Sequence, residues 1–423
     1  MNPALRSVLI ATGIIALFAG FDIWWIHHAR PAGLFGDEWR YLLYADNLLH
    51  GFYSPRERLF LSNGPGYPLF LMPFVKLGWI DGARYVNALL HGGAMVYAWA
   101  ILSPRLPRRW AIAAFAVLGL YLPLYDIVPY IYTETLCFFL VTAWIYHALK
   151  SRDSRRHSII AGCLFGFLCL TKVVFGAVLE LLLVGLLVVW LWRRKRAVGL
   201  WLRQGTLAFA LCIPYLLYTY HLTGKPFYWA SLGANTFYWL TSPYPEEWGD
   251  WYHQGWVAKN PILHAHHQAI YDQATGLAQN PNLPERDQVF NLTTPEADAI
   301  FWKAAVRNVR EHPGKFALNW VANLARLFFD VPVSVRGTPF WNMSTYSHLP
   351  LLAWTIFVLV LAWRHRVGPP VEWRPMWGFF VAAIGAYSFA SIVSRFLIPL
   401  VPIWWLGLCC WAKVAWGQRQ ETS

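Results

Sequence analysis

Long runs of hydrophobic residues recur along the 423-residue chain and alternate with short polar segments. An apolar run of about 20 residues is long enough for one helix to cross the hydrocarbon core of a bilayer. The pattern therefore predicts an all-α polytopic membrane protein with about ten transmembrane helices. We place these spans near residues 8–26, 83–102, 110–125, 133–149, 158–171, 173–192, 204–221, 350–363, 375–393 and 396–415.

Basic residues between the predicted spans orient the chain in the membrane. They cluster in four short segments, which are residues 105–109, 150–156, 193–203 and 364–374. All four lie on one side if the N-terminus is cytoplasmic, and an excess of Lys and Arg marks the cytoplasmic side. Both termini are then cytoplasmic, and residues 27–82 and 222–349 lie outside.

This topology divides the chain into three parts. Residues 1–221 form an N-terminal transmembrane module that includes the first outer loop, and residues 350–423 form a C-terminal transmembrane module. Between them, residues 222–349 form an extracytoplasmic segment that is rich in aromatic residues. Its apolar stretch 316–333 is predicted to lie in the outer interface, because a span there would place the basic segment near Arg364 outside.

Composition agrees with a membrane protein and argues against a nucleic-acid partner. Hydrophobic residues make up 57% of the chain and charged residues only 13%, about half of the roughly 25% that soluble domains contain. The net charge of +13 comes from basic residues in the short loops between spans, where they determine topology. All six cysteines lie in apolar segments, so we expect neither disulfides nor a zinc site.

The first outer loop carries an unusual set of polar groups. It contains GDEWRYLLYADNLLHGFYSPRERLFLSNGPGYPLFLMPF directly after the first span. Asp37 and Glu38 open a predicted interfacial helix over 38–49. A basic pair, Arg56 and Arg58, precedes the Asn-Gly-Pro-Gly turn into the next apolar run. The two acids are either solvated carboxylates at a helix N-terminus or general bases that accept a proton from an attacking hydroxyl.

Four more ionisable residues lie at the outer ends of later spans. Asp126 and Glu134 flank the outer turn YDIVPYIYTETL. Either one of these acids faces the first outer loop, or Glu134 simply caps the fourth span. Lys172 lies between the fifth and sixth spans, and Arg395 has the matching position before the last span. Each cation is either a snorkelling side chain or a phosphate partner. Together with the basic pair of the first loop, they favour a phosphate site.

Two further features leave alternatives open. Glu180 lies within the sixth span, where an ionisable side chain indicates either a function or a buried hydrogen bond. His264, His266 and His267 form the motif HAHH in the outer segment, and on a strand the first two rings would lie together as metal ligands. Because no carboxylate or cysteine is close to them in the sequence, we predict no metal site.

Taken in order, these motifs resemble the glycosyltransferase-C superfamily, and within it the bacterial protein O-mannosyltransferases and lipid A aminoarabinose transferases. The resemblance rests on GDEWRYLLYADNLLHG after the first span and NGPGYPLFLMPF before the second. It continues through TETLCFFL, GCLFGFLCLTK, EHPGKFALNWVANLARLFF and SRFLIPLVPIWW, and so covers nearly the whole chain. One departure is the lysine in LTK, where an arginine is common in the family.

The resemblance implies an inverting transfer of a sugar from a polyprenyl-phosphate donor to a hydroxyl acceptor (a lipid, a glycan or a protein) on the extracytoplasmic face. The expected location is a bacterial inner membrane. One carboxylate suffices because phosphate leaves without a proton, so no obligatory cofactor or metal is predicted. A divalent cation stays an alternative because some members of the superfamily use one. The rival interpretations are a transporter or flippase of a lipid-linked saccharide and a non-catalytic scaffold.

The resemblance also assigns roles to the ionisable residues of the outer face. The catalytic acid of the first outer loop falls on Asp37, with Glu38 as its pair. The second-loop acid, which orients the acceptor, falls on Asp126 or Glu134, and the choice stays open. Basic residues at outer helix ends hold the donor phosphate in this family. They are matched here by Lys172 and Arg395, and we add Arg56 and Arg58 to the predicted phosphate clamp.

Overall fold

Helices account for all regular structure in the described part of the chain. The computed structural model describes residues 3–55, 59–231, 233–252, 254–276, 292, 294–335, 340–390 and 392–422. No strand occurs within these ranges, so the all-α fold class is confirmed there. The α-helices are α1 (Pro3–Ala29), α2 (Glu38–Leu49), α3 (Gly66–Lys76), α4 (Ile80–Leu102), α5 (Arg108–Gly119), α6 (Leu122–Tyr125), α7 (Thr133–Lys150), α8 (Arg155–Thr171), α9 (Val174–Arg193), α10 (Arg196–Thr223), α11 (Gly233–Leu240), α12 (Gln254–Lys259), α13 (Pro261–Thr275), α14 (Pro295–Glu311), α15 (Pro313–Phe329), α16 (Met343–Arg364), α17 (Arg374–Ser388) and α18 (Val401–Thr422), and 3₁₀ helices span Val371–Trp373 and Ser394–Leu400.

Six stretches of the described helices are long and apolar enough to cross a membrane. They are Val8–Ala29, Ile80–Leu102, Val174–Trp192, Val198–Thr223, Met343–Arg364 and Ser394–Gly417. Helices also form at the four other predicted spans, but α8 and α17 have only 17 and 15 residues. The count of ten spans therefore stays a prediction.

The predicted third span, 110–125, is not one helix. It is divided into α5 and the four-residue α6. Tyr121, between them, has an extended backbone with φ −68° and ψ 100°, and Pro123 lies in the first turn of α6. Proline lacks an N–H to continue a preceding helix and is tolerated in a first turn, which explains the break.

The helices α4, α7, α8 and α10 pack side by side in the centre of the molecule. Small residues allow α8 to approach α10 closely, as in the small-xxx-small contacts of membrane helices. A Cβ atom on Gly166 would lie 2.9 Å from the Ala208 carbonyl oxygen, and one on Gly162 would lie 2.9 Å from Leu207 Cδ2. The GCLFG segment thus determines the distance between these two helices.

Helix α15 connects the outer segment to the C-terminal module through a buried polar face. Asn319 Nδ2 donates to the carbonyls of Leu240 and Ser242, and Asn323 Nδ2 donates to those of Ser388 and Ala390. Leu318 and Val321, by contrast, are 49% and 58% exposed. Apolar side chains thus lie on the exposed face of α15 and polar ones on its buried face, and the location of residues 316–333 in the outer interface stays a prediction.

Candidate active site

Asp37 lies between two arginines at the N-terminus of α2. Its Oδ1 accepts a hydrogen bond from Arg40 Nη2, and its Oδ2 accepts one from Arg395 Nη2 at 2.8 Å. Burial by itself would raise the pKa of Asp37, but the charges of Arg40 and Arg395 and their hydrogen bonds outweigh it and hold the pKa well below its ordinary value. The side chain is 23% exposed. Asp37 is therefore an ionised carboxylate that is open to solvent on one side.

Arg395 links this carboxylate to a second acid. Its Nε lies 4.0 Å from Glu134 Oε1, which also accepts a hydrogen bond from Lys172 Nζ at 3.0 Å. The five charges alternate in the order Arg40, Asp37, Arg395, Glu134 and Lys172, and we call them the charge chain. They come from α2, the 3₁₀ helix Ser394–Leu400, the first turn of α7 and the end of α8. The structure thus brings together acids and cations that lie up to 358 residues apart.

The Asn-Gly-Pro-Gly turn brings the first loop close to Lys172. A Cβ atom on Gly64 would lie 2.1 Å from the Leu170 carbonyl oxygen, and one on Gly66 would lie 2.5 Å from the Thr171 amide nitrogen. These distances are far below van der Waals contact, so only glycine permits this approach. Lys172 follows directly, with an extended backbone at the C-terminus of α8.

Aromatic rings cover the two cations of the charge chain that were predicted to bind phosphate. Lys172 Nζ lies 4.4 Å from the centroid of the Phe396 ring. Arg395 Cζ lies 4.9 Å from the centroid of Tyr132 and 5.6 Å from that of Phe396. Cation–π contacts therefore stabilise both charges in addition to their ion pairs with Glu134 and Asp37. Sequence reasoning did not identify Tyr132, Phe396 or Arg40 as site residues, although Arg40 follows Asp37 at the i, i+3 spacing of a helix.

Glu38 lies next to Asp37 in the sequence but has other partners. Its side chain is fully buried and accepts hydrogen bonds from Arg84 Nη2 at 3.0 Å, the Phe35 amide at 2.7 Å and the Ile131 amide at 2.8 Å. A carboxylate with this many donors is held in one position. Glu38 therefore ties the first loop to α4 and to the outer turn before α7.

Two other predicted residues, Asp126 and Glu180, lie apart from the charge chain. Asp126 is exposed at the C-terminus of α6, so the structure brings only Glu134, of the two second-loop acids, to Asp37 and Arg395. Glu180, which is half-buried, accepts a hydrogen bond from Trp229 Nε1 at 3.0 Å, so this side chain has a polar partner within the protein. Arg56 and Arg58 lie outside the described residues.

The fold is similar to that of ArnT from Cupriavidus metallidurans. The apo crystal structure gives a TM-score of 0.40 and 13% identity, over 97% of this chain and 78% of ArnT. ArnT bound to undecaprenyl phosphate gives 0.40 and 12%, over 96% of this chain and 77% of ArnT. A third similar structure is the archaeal oligosaccharyltransferase AglB from Archaeoglobus fulgidus, in complex with an inhibitory peptide and a dolichol-phosphate. Its TM-score is 0.48 and its identity 10%, over 94% of this chain but only 50% of AglB.

No family model matches the chain, and no curated protein sequence matches it. Identities of 13% or less and TM-scores below 0.5 leave the function to be argued from the side chains of the site. ArnT and AglB are both glycosyltransferases of the glycosyltransferase-C superfamily.

Proposed function

We propose that the protein is an integral membrane glycosyltransferase that moves a sugar from a polyprenyl-phosphate donor to a hydroxyl acceptor on the extracytoplasmic face. The observation that carries this proposal is the charge chain, in which an ionised carboxylate, Asp37, lies beside cations that are held on aromatic rings. Such a set can both accept a proton and bind a phosphate. The acceptor class (lipid, glycan or protein) and the sugar are left to experiment.

Asp37 is the proposed general base. It takes the proton of the acceptor hydroxyl while the acceptor oxygen bonds to the anomeric carbon of the sugar. The bond from that carbon to the phosphate oxygen breaks, and its electron pair leaves with the polyprenyl phosphate. Because attack and departure occur on opposite faces of the sugar, the configuration inverts.

Arg395 and Lys172 are the proposed phosphate partners. The phosphate goes from one negative charge towards two as the sugar leaves, so fixed cations stabilise the transition state more than the ground state. Arg395 also makes Asp37 a weak base while the donor is absent, because it lowers the pKa of that carboxyl group. A donor phosphate that attracts Arg395 would weaken this ion pair and increase the basicity of Asp37. Donor binding thereby activates the base.

Glu134 and Glu38 have supporting roles in this proposal. Glu134 holds Lys172 and lies near Arg395, so it positions the phosphate partners and is the second-loop acid that can face the acceptor. Glu38 positions the first loop through Arg84 and backbone amides. We therefore assign it to the structure of the site rather than to proton transfer.

The test is sugar transfer by purified protein in nanodiscs, with a panel of radiolabelled polyprenyl-phosphate sugars. Asp37→Asn should abolish transfer and donor hydrolysis while donor binding persists. Asp81→Asn is a matched control, because Asp81 is also an outer-face acid between two arginines, Arg30 and Arg84, yet lies outside the charge chain. Equal activity of wild type and Asp37→Asn would exclude Asp37 as the base. Movement of the lipid-linked sugar between leaflets, without transfer, would support a flippase instead.

A further inference from the structure

A second cluster of polar side chains lies in the outer segment, outside the charge chain. Glu247 lies in the loop after α11, and His266 and His267 lie on α13. One carboxylate oxygen and two ring nitrogens from these three residues all lie within 4.8 Å of one another. His266 Nδ1 is 2.8 Å from Glu247 Oε1, and His267 Nε2 is 2.9 Å from both oxygens.

The HAHH motif lies on the helix α13, whereas the metal-ligand spacing considered from the sequence was that of a strand. Asn260 caps α13 by accepting hydrogen bonds from the Ile262 and Leu263 amides, and Pro261 occupies the first turn. On a helix, successive residues are about 100° apart. His266 and His267 can still reach one point because the first presents Nδ1 and the second Nε2. His264 is exposed and does not take part, so the histidine pair is not the one that strand spacing would select.

Both imidazoles are held at their other nitrogen as well. His267 Nδ1 forms a 2.8 Å hydrogen bond with the Tyr238 hydroxyl, and His266 Nε2 lies 3.4 Å from a carboxylate oxygen of Glu246. The ring of Tyr244 stacks on His266, with the centroids 3.5 Å apart and the planes 5° from parallel. Metal-binding histidines characteristically have this outer partner, which fixes the tautomer and leaves the inner nitrogen free to coordinate.

We propose that Glu247, His266 and His267 bind a divalent transition metal ion, with zinc as the best match. Two neutral imidazoles and one carboxylate form a donor set that zinc binds readily, with metal–ligand distances of about 2.0–2.2 Å. Donor atoms around a tetrahedral ion at that distance lie roughly 3.3 Å apart, so the Glu247 carboxylate needs to move away from each histidine nitrogen by only a few tenths of an ångström. Glu247 and His267 are almost fully buried, whereas the His266 side chain is 19% exposed. The fourth position therefore opens on the His266 side, where a water molecule completes the coordination.

The metal would hold the 241–250 loop against α13. The Trp248 carbonyl in this loop accepts a hydrogen bond from Arg326 of α15, and the same guanidinium donates to the Ile392 carbonyl, three residues before Arg395. The site is therefore connected to the segment that carries Arg395. The bound metal ion is expected to stabilise the outer segment. This proposal does not depend on whether the protein transfers a sugar.

The experiment measures zinc binding to the full-length protein, purified with a histidine-free tag and stripped with a chelator. Wild type should bind one zinc per chain in competition with a chromophoric chelator, and zinc should raise its Tm. Bound Co²⁺ should give visible d–d bands of a tetrahedral site. His267→Ala and Glu247→Gln should weaken zinc binding at least about 100-fold. His264→Ala, on the exposed face of the same helix, is the matched control and should bind as wild type does.

A third variant separates loss of a ligand from misfolding. His266→Ala removes the partly exposed ligand and leaves the buried Glu247 and His267 in place. This variant should elute as wild type does in size-exclusion chromatography and still lose most of its zinc affinity. Equal zinc binding by wild type, His266→Ala and Glu247→Gln would show that the metal binds elsewhere. No binding by folded wild type at micromolar zinc would show that the cluster is only a hydrogen-bonded glutamate with two histidines. Either result would overturn the proposal.

Discussion

Replacement of Arg395 by glutamine tests the proposed coupling of phosphate binding to base strength. Arg395 donates to Asp37 at 2.8 Å and its side chain is 29% exposed. At an effective dielectric constant of about 20, two unit charges about 4 Å apart interact by roughly 4 kcal/mol. If about half a unit of charge develops on the phosphate, loss of the cation costs about 2 kcal/mol, or about 30-fold in kcat. Loss of a fully aligned donor would cost up to about 10³-fold.

The same substitution should change the pH dependence in a defined direction. The base must be ionised to act, so the acid limb of kcat/KM follows the pKa of Asp37 in the free enzyme. In wild type that pKa lies below its ordinary value because the charges of Arg40 and Arg395 outweigh burial. Without Arg395, burial is opposed by Arg40 alone, so the pKa rises. The acid limb should therefore move to higher pH, by about one unit or more.

The assay is transfer of radiolabelled sugar in nanodiscs over a pH series, with saturating acceptor. Arg30→Gln is the matched control, because Arg30 is an outer-face arginine of similar exposure, 31%, that pairs with Asp81. Arg395→Lys should recover part of the rate, since it restores the charge without the planar fork of donors. Full activity of Arg395→Gln, or a lower rate with an unmoved acid limb, would refute the proposed link between Arg395 and the base.

Substitutions at two further sites test the contribution of buried polar contacts to stability. Glu38→Gln leaves the buried Arg84 guanidinium with only the partly exposed Asp81 as an acidic partner, and should lower the free energy of unfolding by about 1–3 kcal/mol. Thermal unfolding in nanodiscs measures this, and a Tm within error of wild type would contradict the assigned role. Asp22 and His91 form a 2.8 Å contact between α1 and α4 with both side chains fully buried. Asp22→Leu or His91→Leu alone should destabilise by a similar amount, whereas the double variant should regain much of the loss; additive losses would show that the two side chains act separately.

Local signals in the sequence predicted the parts of the structure that depend on neighbouring residues. The bounds predicted for the first-loop helix, residues 38–49, are those of α2. The break at Tyr121 was missed because hydropathy continues across it, although Pro123 was a visible signal.

Long-range pairings could not be predicted in the same way. Glu247 lies 19 and 20 residues before the two histidines that it contacts. The loop that contains Glu247 has no hydrophobic periodicity, so the sequence does not predict its path. The assignment of Asp37 and Arg395 to one predicted site depended on topology and on the family resemblance. Their shared hydrogen bond, and the separation of Glu38 from it, follow from packing that no local pattern encodes.

The buried polar face of α15 has a consequence for how the protein responds to its surroundings. Asn323 and Arg326 hold the backbone carbonyls of Ser388, Ala390 and Ile392. Leu318 and Val321, on the other face, are exposed. If α15 lies in the outer interface as predicted, lipid that contacts its exposed face acts, through this helix, on the segment that leads to Arg395. The geometry of the charge chain should then vary with bilayer thickness, and the choice of lipid becomes an experimental variable in its own right.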